Sequence, residues 1–276
     1  MLQPLKIKMK KIVFYLLATI FAIAALFTSC KKDEDKNEKV QLVKSMTCYW
    51  GGEKDLLTIN FEYDKKNRIT NVTTDSLGAI DNRFLYQFEY NGNDLVKLIV
   101  GYHNPGLDFP YLRIFNFSKN ENKITVLNNG FNCGEIELNR DGFPITASQS
   151  FIRNTDSIVN SYTYQYLDGN LVSVSHVGFI NDNLVSNHIK TLKHENTKSP
   201  FYNCIIPQWT IFIDEITFPS FIQSLIQRYN ISEYKYWRSF EGEEYEQNIK
   251  YTYEYDNNGF ATKMYIDGKL WNTYTY

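Results

Sequence analysis

The feature that most constrains this chain is a recurring unit in which an alternating run of aromatic or apolar residues leads through a polar turn into a second alternating run. Clear copies span residues 61–69, 88–97, 164–172 and 253–264. Alternation with a period of two, interrupted by Asn-Gly or Asp-Gly, is the strongest short-range signal for a β-hairpin. The chain also holds 21 Tyr and 19 Phe, residues that favour strands. We therefore predict a chain of antiparallel hairpins.

The residue just before each turn recurs at a nearly constant spacing. The equivalent positions are Tyr63, Tyr90, Phe117, Leu138, Tyr166 and Tyr255, which are separated by 27, 27, 21, 28 and 89 residues. Regular recurrence indicates that each hairpin stacks on its neighbour. We predict a mainly all-β fold, an antiparallel meander in which repeated hairpins form a long twisted sheet or a sandwich. Residues 45–276 are expected to form this single β-repeat domain.

One stretch between residues 200 and 250 interrupts the strand pattern. It places five apolar residues on one face at helical spacing, namely Phe221, Ile222, Leu225, Ile226 and Tyr229. Pro219 suits the first turn of a helix and Asn230 suits its end. We predict a helix over residues 219–230 that covers one face of the sheet, because an antiparallel sheet needs its apolar face covered. A helix that binds a partner is the alternative.

The last copy of the repeat carries a family resemblance. Residues 253–260 read Tyr-Glu-Tyr-Asp-Asn-Asn-Gly-Phe, which resembles the YD repeat of RHS-type bacterial surface proteins. Tyr166 with residues 168–171, and later residues 196–203, fit the same pattern. The whole arrangement, over residues 45–276, is similar to a family of Bacteroidetes lipoproteins to which no activity is assigned. The resemblance implies a fold built from such strands and no particular chemistry.

The N-terminal segment has the features of a secretory signal. Met9 and two lysines precede 16 mostly apolar residues, 12–27, and then Thr28, Ser29 and Cys30. As a helix this run spans about 24 Å, less than the roughly 30 Å of a bilayer core, so we predict a cleaved signal over residues 1–29 and translation from Met9. The segment resembles the lipobox of bacterial lipoproteins. That resemblance implies acylation of Cys30, which becomes the first residue of the mature chain.

Residues 30–44 form a charged tether. Lys32-Asp33-Glu34-Asp35 resembles the acidic export signal of Bacteroidetes lipoproteins, and the alternative is an ordinary solvated spacer. We expect a protein of the outer membrane, held there by its lipid anchor, on either the cell surface or the periplasmic face.

Charge and cysteine content exclude several classes of protein. Removing residues 1–29 takes away four lysines and no acid, so the mature chain carries 25 basic and 31 acidic residues and a net charge of about −6. Nucleic-acid binding is not expected, since it needs clustered Lys and Arg.

Cys48, Cys133 and Cys204 are widely spaced and odd in number, which fits neither a disulfide scaffold nor a zinc site. Two alternatives remain open: three buried thiols, or one disulfide bridge plus one free thiol.

No pattern typical of catalysis is found. His103, His176, His188 and His194 lack the helical spacing of metal ligands, and neither a Gly-x-Ser-x-Gly element nor a glycine-rich phosphate loop occurs. His176 and His188 could approach each other across adjacent strands. We predict a non-enzymatic binding or structural protein without metal or cofactor. The alternative is a hydrolase of glycans or peptides whose carboxylates are assembled by the fold.

Aromatic residues are the candidate binding groups. Tyr102, in a loop predicted at residues 101–106, and Trp50, Trp209 and Trp237 could stack on sugars, and a glycan or an envelope protein is the expected partner. The alternative is that these rings pack in the core or between strands.

Ser76 and Ser157 lie in Asp-Ser-Leu and Asp-Ser-Ile tripeptides. These resemble the acceptor of Bacteroidetes O-glycosylation, which implies two modification sites, although such tripeptides also arise by chance.

Overall fold

The computed structural model describes residues 40–49, 56–77, 83–103, 111–216, 225–240 and 243–276. The predicted signal segment, Cys30 and Trp50 lie outside the described residues.

The described residues form sixteen strands, and each strand pairs antiparallel with the next along the chain. The strands are β1 (Ser45–Tyr49), β2 (Leu56–Tyr63), β3 (Ile69–Leu77), β4 (Arg83–Asn91), β5 (Asp94–His103), β6 (Tyr111–Asn120), β7 (Lys123–Asn128), β8 (Phe131–Leu138), β9 (Pro144–Arg153), β10 (Asp156–Leu167), β11 (Asn170–Ile180), β12 (Asn183–Lys198), β13 (Tyr229–Phe240), β14 (Glu243–Tyr255), β15 (Ala261–Ile266) and β16 (Lys269–Thr275). The first strand also pairs with the last: Ser45 lies opposite Thr275 and Cys48 lies opposite Asn272. The sheet is therefore a closed barrel.

Closure corrects the predicted architecture. The hairpin meander exists, but the expectation of a long twisted sheet or a sandwich is wrong, because the sheet closes into a barrel. Alternation and turn residues determine how one strand pairs with the next, and they carry no information about whether the first and last strands meet. Closing the sheet leaves no strand edge without a partner, and this removes the sites at which open sheets aggregate.

The recurring sequence unit corresponds to a recurring turn. Asp64, Asn139 and Asp256 each accept hydrogen bonds, at 2.8–3.1 Å, from the backbone N–H groups two and four residues further on. A shift in strand register precedes the turn at Tyr63, Tyr90, Leu138, Tyr166 and Tyr255. Phe117 differs, because β6 and β7 pair without a shift. At five of the six positions the repeated aromatic or apolar residue thus marks a β-bulge, which bends the strand into the turn.

The barrel has two different ends. The start of β1, the end of β16 and the turns at Asp64, Asn139 and Asp256 lie at one end, which we call the proximal end. The opposite, distal end carries two-residue turns such as Asn129-Gly130 and Asp267-Gly268, in which both residues have a positive φ. That conformation suits Gly and Asn, and it matches the twist of the flanking strands.

The barrel wall is apolar inside and charged outside. Buried side chains occupy alternate positions along the strands, as in Ile59, Phe61, Tyr86, Phe88, Phe115, Phe117, Ile124, Val126, Tyr162 and Tyr164. The intervening positions carry ion pairs between neighbouring strands, with N–O distances of 2.8 Å for Lys97–Glu89 and 2.6 Å for Lys193–Glu233. The hydrophobic core therefore lies within the barrel, and the outer wall carries ion pairs together with exposed apolar side chains such as Leu112, Ile152 and Ile189.

The described residues between β12 and β13, 199–216 and 225–228, fill part of the lumen, and we call them the plug. Their aromatic rings contact well-separated strands: Phe201 lies 5.1 Å from Phe61 on β2, Trp209 lies 4.7 Å from Phe117 on β6, and Phe212 lies 5.6 Å from Tyr162 on β10, between ring centroids. A segment that touches three parts of the wall must run inside it. Sixteen strands enclose more space than wall side chains can fill, which explains why a plug is needed.

The helical content of the plug differs from the prediction. A 3₁₀ turn (Gln208–Thr210) leads into α1 (Ile211–Ile216), where no helix was expected. Within the predicted helix 219–230, Leu225 and Ile226 are helical, Tyr229 and Asn230 already belong to β13, and residues 219–224 lie outside the described residues. Leu225 and Ile226 belong to the core inside the barrel, so they do not cover an outer face. Among the described residues, no helix is both long and apolar enough to cross a membrane.

Candidate functional site

A cavity of 360 Å³ remains inside the barrel between the plug and one part of the wall. The residues that line it come mainly from β1–β3, β13–β16 and the plug, and they include Met46, Cys48, Leu57, Ile59, Val72, Thr74, Phe201, Gln227, Tyr234, Tyr251, Tyr253, Met264, Ile266, Trp271, Asn272 and Tyr274. The volume lies at the lower end of the roughly 300–1,000 Å³ that is typical of small-molecule sites. We take this cavity as the candidate site.

The cavity runs along the barrel axis. Phe201 and Gln227 of the plug border it toward the proximal end, and Ile266, the last residue of β15 before its distal turn, borders it on the other side. The alternation of the strands directs pairs such as Met46 and Cys48, or Tyr251 and Tyr253, into it. The site therefore depends on barrel closure, since β1 and β16 supply adjacent parts of its wall.

Aromatic side chains dominate one side of the cavity. Tyr234, Tyr251, Tyr253, Trp271 and Tyr274 all line it. The Tyr253 hydroxyl donates a hydrogen bond of 3.0 Å to the carbonyl oxygen of Ile231, and burial raises the pKa of Tyr251 to about 12. These phenols consequently stay neutral near pH 7, and the wall presents rings and uncharged hydroxyl groups.

Three buried amides, those of Gln227, Asn230 and Asn272, interrupt the apolar lining. Asn272 is 7% exposed and Gln227 is 3% exposed. Among the described residues, neither Asn272 Oδ1 nor Gln227 Nε2 has a hydrogen-bond partner. The other amide atom of Gln227, Oε1, lies 3.0 Å from Nε2 of His194. A buried polar atom without a partner costs about 1–3 kcal/mol, so these two atoms mark a place where a bound molecule would be stabilised.

The three described cysteines are free thiols, which resolves the question of a bridge that the sequence left open. Cys48 lines the cavity. Burial raises the pKa of Cys48 to about 12. It is also the main reason that the pKa of Cys133 is raised to about 11 and that the pKa of Cys204 is raised. Since the thiolate is the reactive form, none of the three is an activated nucleophile.

A histidine pair lies on the inner face of β11 and β12. His176 and His188 are directly opposite, with ring centroids 4.8 Å apart, and this confirms the predicted approach across adjacent strands. His176 Nε2 lies 3.1 Å from Asn160 Oδ1, and the Tyr236 hydroxyl lies 3.3 Å from His188 Nδ1. Burial, followed by the charges of His188 and Lys190, lowers the pKa of His176 to about 4. No cluster of His, Cys, Asp or Glu that could hold a metal ion occurs in the described ranges.

The predicted aromatic binding residues are scattered in the structure. Trp209 is 6% exposed and packs against Phe117 inside the barrel, away from any external surface. Trp237 lies on the outer side of β13, between Ile189 and Glu246 of the neighbouring strands. The structure therefore does not bring these two tryptophans together.

Three further predicted sites also lie on strands. Tyr102 lies within β5, opposite Tyr111, so its assignment to a loop at residues 101–106 is wrong for residues 101–103. Pairing with the next hairpin extends the strand up to His103. Ser76 belongs to β3, and Ser157 is exposed near the distal start of β10.

Most of the residues that line the cavity were not predicted from the sequence. One usable signal was Asn272, which shares the inward face of β16 with Tyr274, so that a polar side chain stands where the alternation predicts an apolar one. Gln227 had no such signal, because its position depends on the path of the plug. The tyrosines of β13 and β14 were visible as strand residues, but their convergence on one cavity follows from closure alone.

Comparison with known proteins finds no matching family model and no matching curated protein. Among solved structures, a porin-like protein from Bacteroides vulgatus is similar, with a TM-score of 0.43, 13% identity, and coverage of 86% of this chain and 99% of that chain. A porin-like protein from Bacteroides uniformis is similar with a TM-score of 0.37, 13% identity, and coverage of 84% and 95%. Both scores are low, and the barrel described above rests on the strand pairing of this chain itself.

Proposed function

We propose that this chain is a lipid-anchored barrel of the cell envelope that binds a small, largely apolar molecule inside the barrel and catalyses no reaction. The observation that carries the proposal is the 360 Å³ cavity between the plug and the wall, lined by aromatic and aliphatic side chains with a few polar groups. Concave, largely apolar sites with a small number of convergent polar groups are typical of small-molecule binding.

The proposed location rests on the leader and on the charged outer wall. The leader that ends at Cys30 supports a lipid anchor, and β1 begins at the proximal end of the barrel. Barrels that span a membrane have an apolar outer band and a polar interior. The ion pairs on the outer wall and the apolar lumen are the reverse of that arrangement. We therefore propose that acyl chains attach the protein to the outer membrane while the barrel stands in water.

The lining of the cavity supports a binding role over a hydrolytic one. A glycan hydrolase needs two carboxylates roughly 5–10 Å apart at the scissile bond. The lining offers phenols, amides and the thiol of Cys48, and burial keeps that thiol protonated. Carboxylates such as Glu89 and Glu233 instead form ion pairs with lysines on the outer wall.

The proposal is tested by titrating the full chain with naphthalene, an uncharged apolar probe, in a calorimeter. Cys48→Phe places a ring in the cavity and should weaken binding at least about tenfold by filling the site. Thr47→Phe is the matched control, since Thr47 is the adjacent residue and points to the outer face of the same strand. Failure of naphthalene to bind, or equal binding by the two variants, would contradict the proposal.

Glycan binding is a second proposal, supported by the position of Trp237. Its ring lies on the outer side of β13 beside Ile189, which is 39% exposed, and such a surface can stack on a sugar. Screening on neutral glycans tests this directly. Trp237→Ala should then cost about 2 kcal/mol of affinity, as at binding hot spots, with little change in melting temperature. An empty screen together with a strongly destabilised variant would leave Trp237 a packing role.

A further inference from the structure

Building on the proposed function, we infer that the ligand of the cavity is a neutral molecule whose apolar body carries a hydrogen-bond acceptor for Gln227 Nε2 and a hydrogen-bond donor for Asn272 Oδ1. Both residues line the cavity, and both atoms are buried without a partner among the described residues. Native proteins satisfy nearly all buried polar atoms, so an unpaired donor and an unpaired acceptor in one cavity specify the complementary groups of the molecule that fills it.

The Gln227 amide is held in place before any ligand binds. His194 Nε2 lies 3.0 Å from Gln227 Oε1, which fixes one end of the amide. The backbone carbonyl oxygen of Gln227 accepts a hydrogen bond from the Ser199 hydroxyl, and this ties the two ends of the plug together. The free Nε2 atom therefore has a defined position. A donor that is already ordered loses little entropy when it binds an acceptor.

The sheet holds Asn272 in place, and its side chain also hydrogen-bonds with that of Tyr274. Asn272 lies opposite Cys48 on β1 and opposite Met264 on β15, at the seam where the barrel closes. Leucine or methionine would fill this inward position without leaving an unpaired oxygen. The amide oxygen is thus costly for the empty barrel, and a ligand that donates a hydrogen bond to it would remove that cost.

The remaining lining favours an uncharged, ring-shaped body. Tyr251, Tyr253 and Trp271 supply flat surfaces, and aromatic rings pair well in offset or edge-to-face arrangements. Lys190 is the charged residue of the lining, and it takes part in other interactions. An anion that used Lys190 is the competing ligand class, and the experiment includes a probe for it.

The experiment compares four probes of one shape on the full chain by calorimetry: naphthalene, 2-naphthol, naphthalene-2,6-diol and 2-naphthoate. Affinity should rise from naphthalene to the diol. Each hydrogen bond gained should contribute roughly 3- to 10-fold. Gln227→Met and Asn272→Leu should each reduce the ratio of the affinity for the diol to the affinity for naphthalene by that factor. Asn128→Leu is the matched control, because Asn128 Oδ1 is also buried without a partner but does not line the cavity.

The possible outcomes separate the inference from the proposed function. If no probe binds, the proposed function itself fails. If naphthalene and the diol bind equally, and the two variants change neither, the cavity binds apolar molecules but the inference is wrong. Tightest binding of 2-naphthoate would also overturn it, in favour of an anion held near Lys190. Should Asn272→Leu fail to fold, the ratio of diol to naphthalene affinity in Gln227→Met decides the question.

Discussion

Replacing Phe212 in the plug by alanine should strongly destabilise the protein. Phe212 is fully buried, and its ring lies 5.6 Å from that of Tyr162 on the barrel wall. It also packs directly over Gly134 of β8, where a Cβ atom would lie 2.8 Å from Phe212 Cζ and 2.4 Å from the carbonyl oxygen of Ser148. The absence of a side chain at Gly134 is therefore what lets the ring approach the wall so closely, and alanine at 212 would leave a cavity there.

The size of the effect follows from the buried ring. A Phe→Ala change in a core costs about 3–5 kcal/mol, which combines lost transfer energy and the cavity left behind. In a chain of this length each kcal/mol lowers the melting temperature by about 2–4 °C, so we expect a decrease of about 6–20 °C. Phe131→Ala is the control, since Phe131 is 78% exposed on β8 and its loss should change stability by less than about 0.5 kcal/mol.

Thermal unfolding of the two variants, followed by near-ultraviolet circular dichroism, measures the difference. The plug contributes rings such as Trp209 and Phe212 to the core, so the near-ultraviolet signal should be lost in the same transition as the barrel. If Phe212→Ala had the same melting temperature as Phe131→Ala, the plug would not pack within the barrel.

Three further predictions follow from the leader, the thiols and the histidines. Cys30→Ala should abolish labelling by a clickable fatty acid, because two or more acyl chains make the attachment stable; label retained on the variant would refute the anchor. Cys48, Cys133 and Cys204 should all react with a thiol reagent in denaturant and only slowly in the native protein, since burial raises their pKa values; fewer than three thiols in denaturant would indicate a bridge. Because burial lowers the pKa of His176 from 6.5 to about 4, protons bind preferentially to the unfolded chain, and stability should fall as pH decreases from about 6.5 to about 4. His176→Gln should flatten that dependence in denaturant titrations, and an unchanged slope would contradict the buried, neutral state of the ring.

The local part of the fold was predictable from the sequence, and the global part was not. The turn at Asp256 follows from its own residues, since the side chain accepts hydrogen bonds from Asn258 and Phe260 and Gly259 takes a positive φ. Closure depends instead on pairing between Cys48 and Asn272, which are separated by almost the whole domain. No local pattern encodes such a contact, because it forms from the accumulated twist and tilt of all the strands.

The position of the plug shows the same limit. Leu225 and Ile226 were identified as the buried face of a helix, and both are buried. In an open sheet that face could only cover the outside, whereas a closed barrel places it in the lumen. The cavity and its unpaired atoms follow from this change, so the candidate site could be located only after the barrel was known.

Barrel closure is the central claim, and a disulfide across the seam tests it most directly. Thr47 on β1 lies opposite Thr273 on β16. An open sheet of sixteen strands would separate these two strands by roughly 70 Å, from fifteen spacings of about 4.8 Å, whereas paired strands bring Cα atoms to about 4.5–5.5 Å.

The test uses Thr47→Cys with Thr273→Cys in a chain whose Cys48, Cys133 and Cys204 are replaced by alanine. Thr47→Cys with Thr163→Cys is the control, because Thr163 is exposed on the distant strand β10. Mild oxidation should link the first pair within the monomer, seen as a faster-migrating band that reductant reverses, and should leave the control pair unlinked. If the 47–273 pair stays reduced, or links no better than the control, the barrel is not closed and the cavity it encloses does not exist.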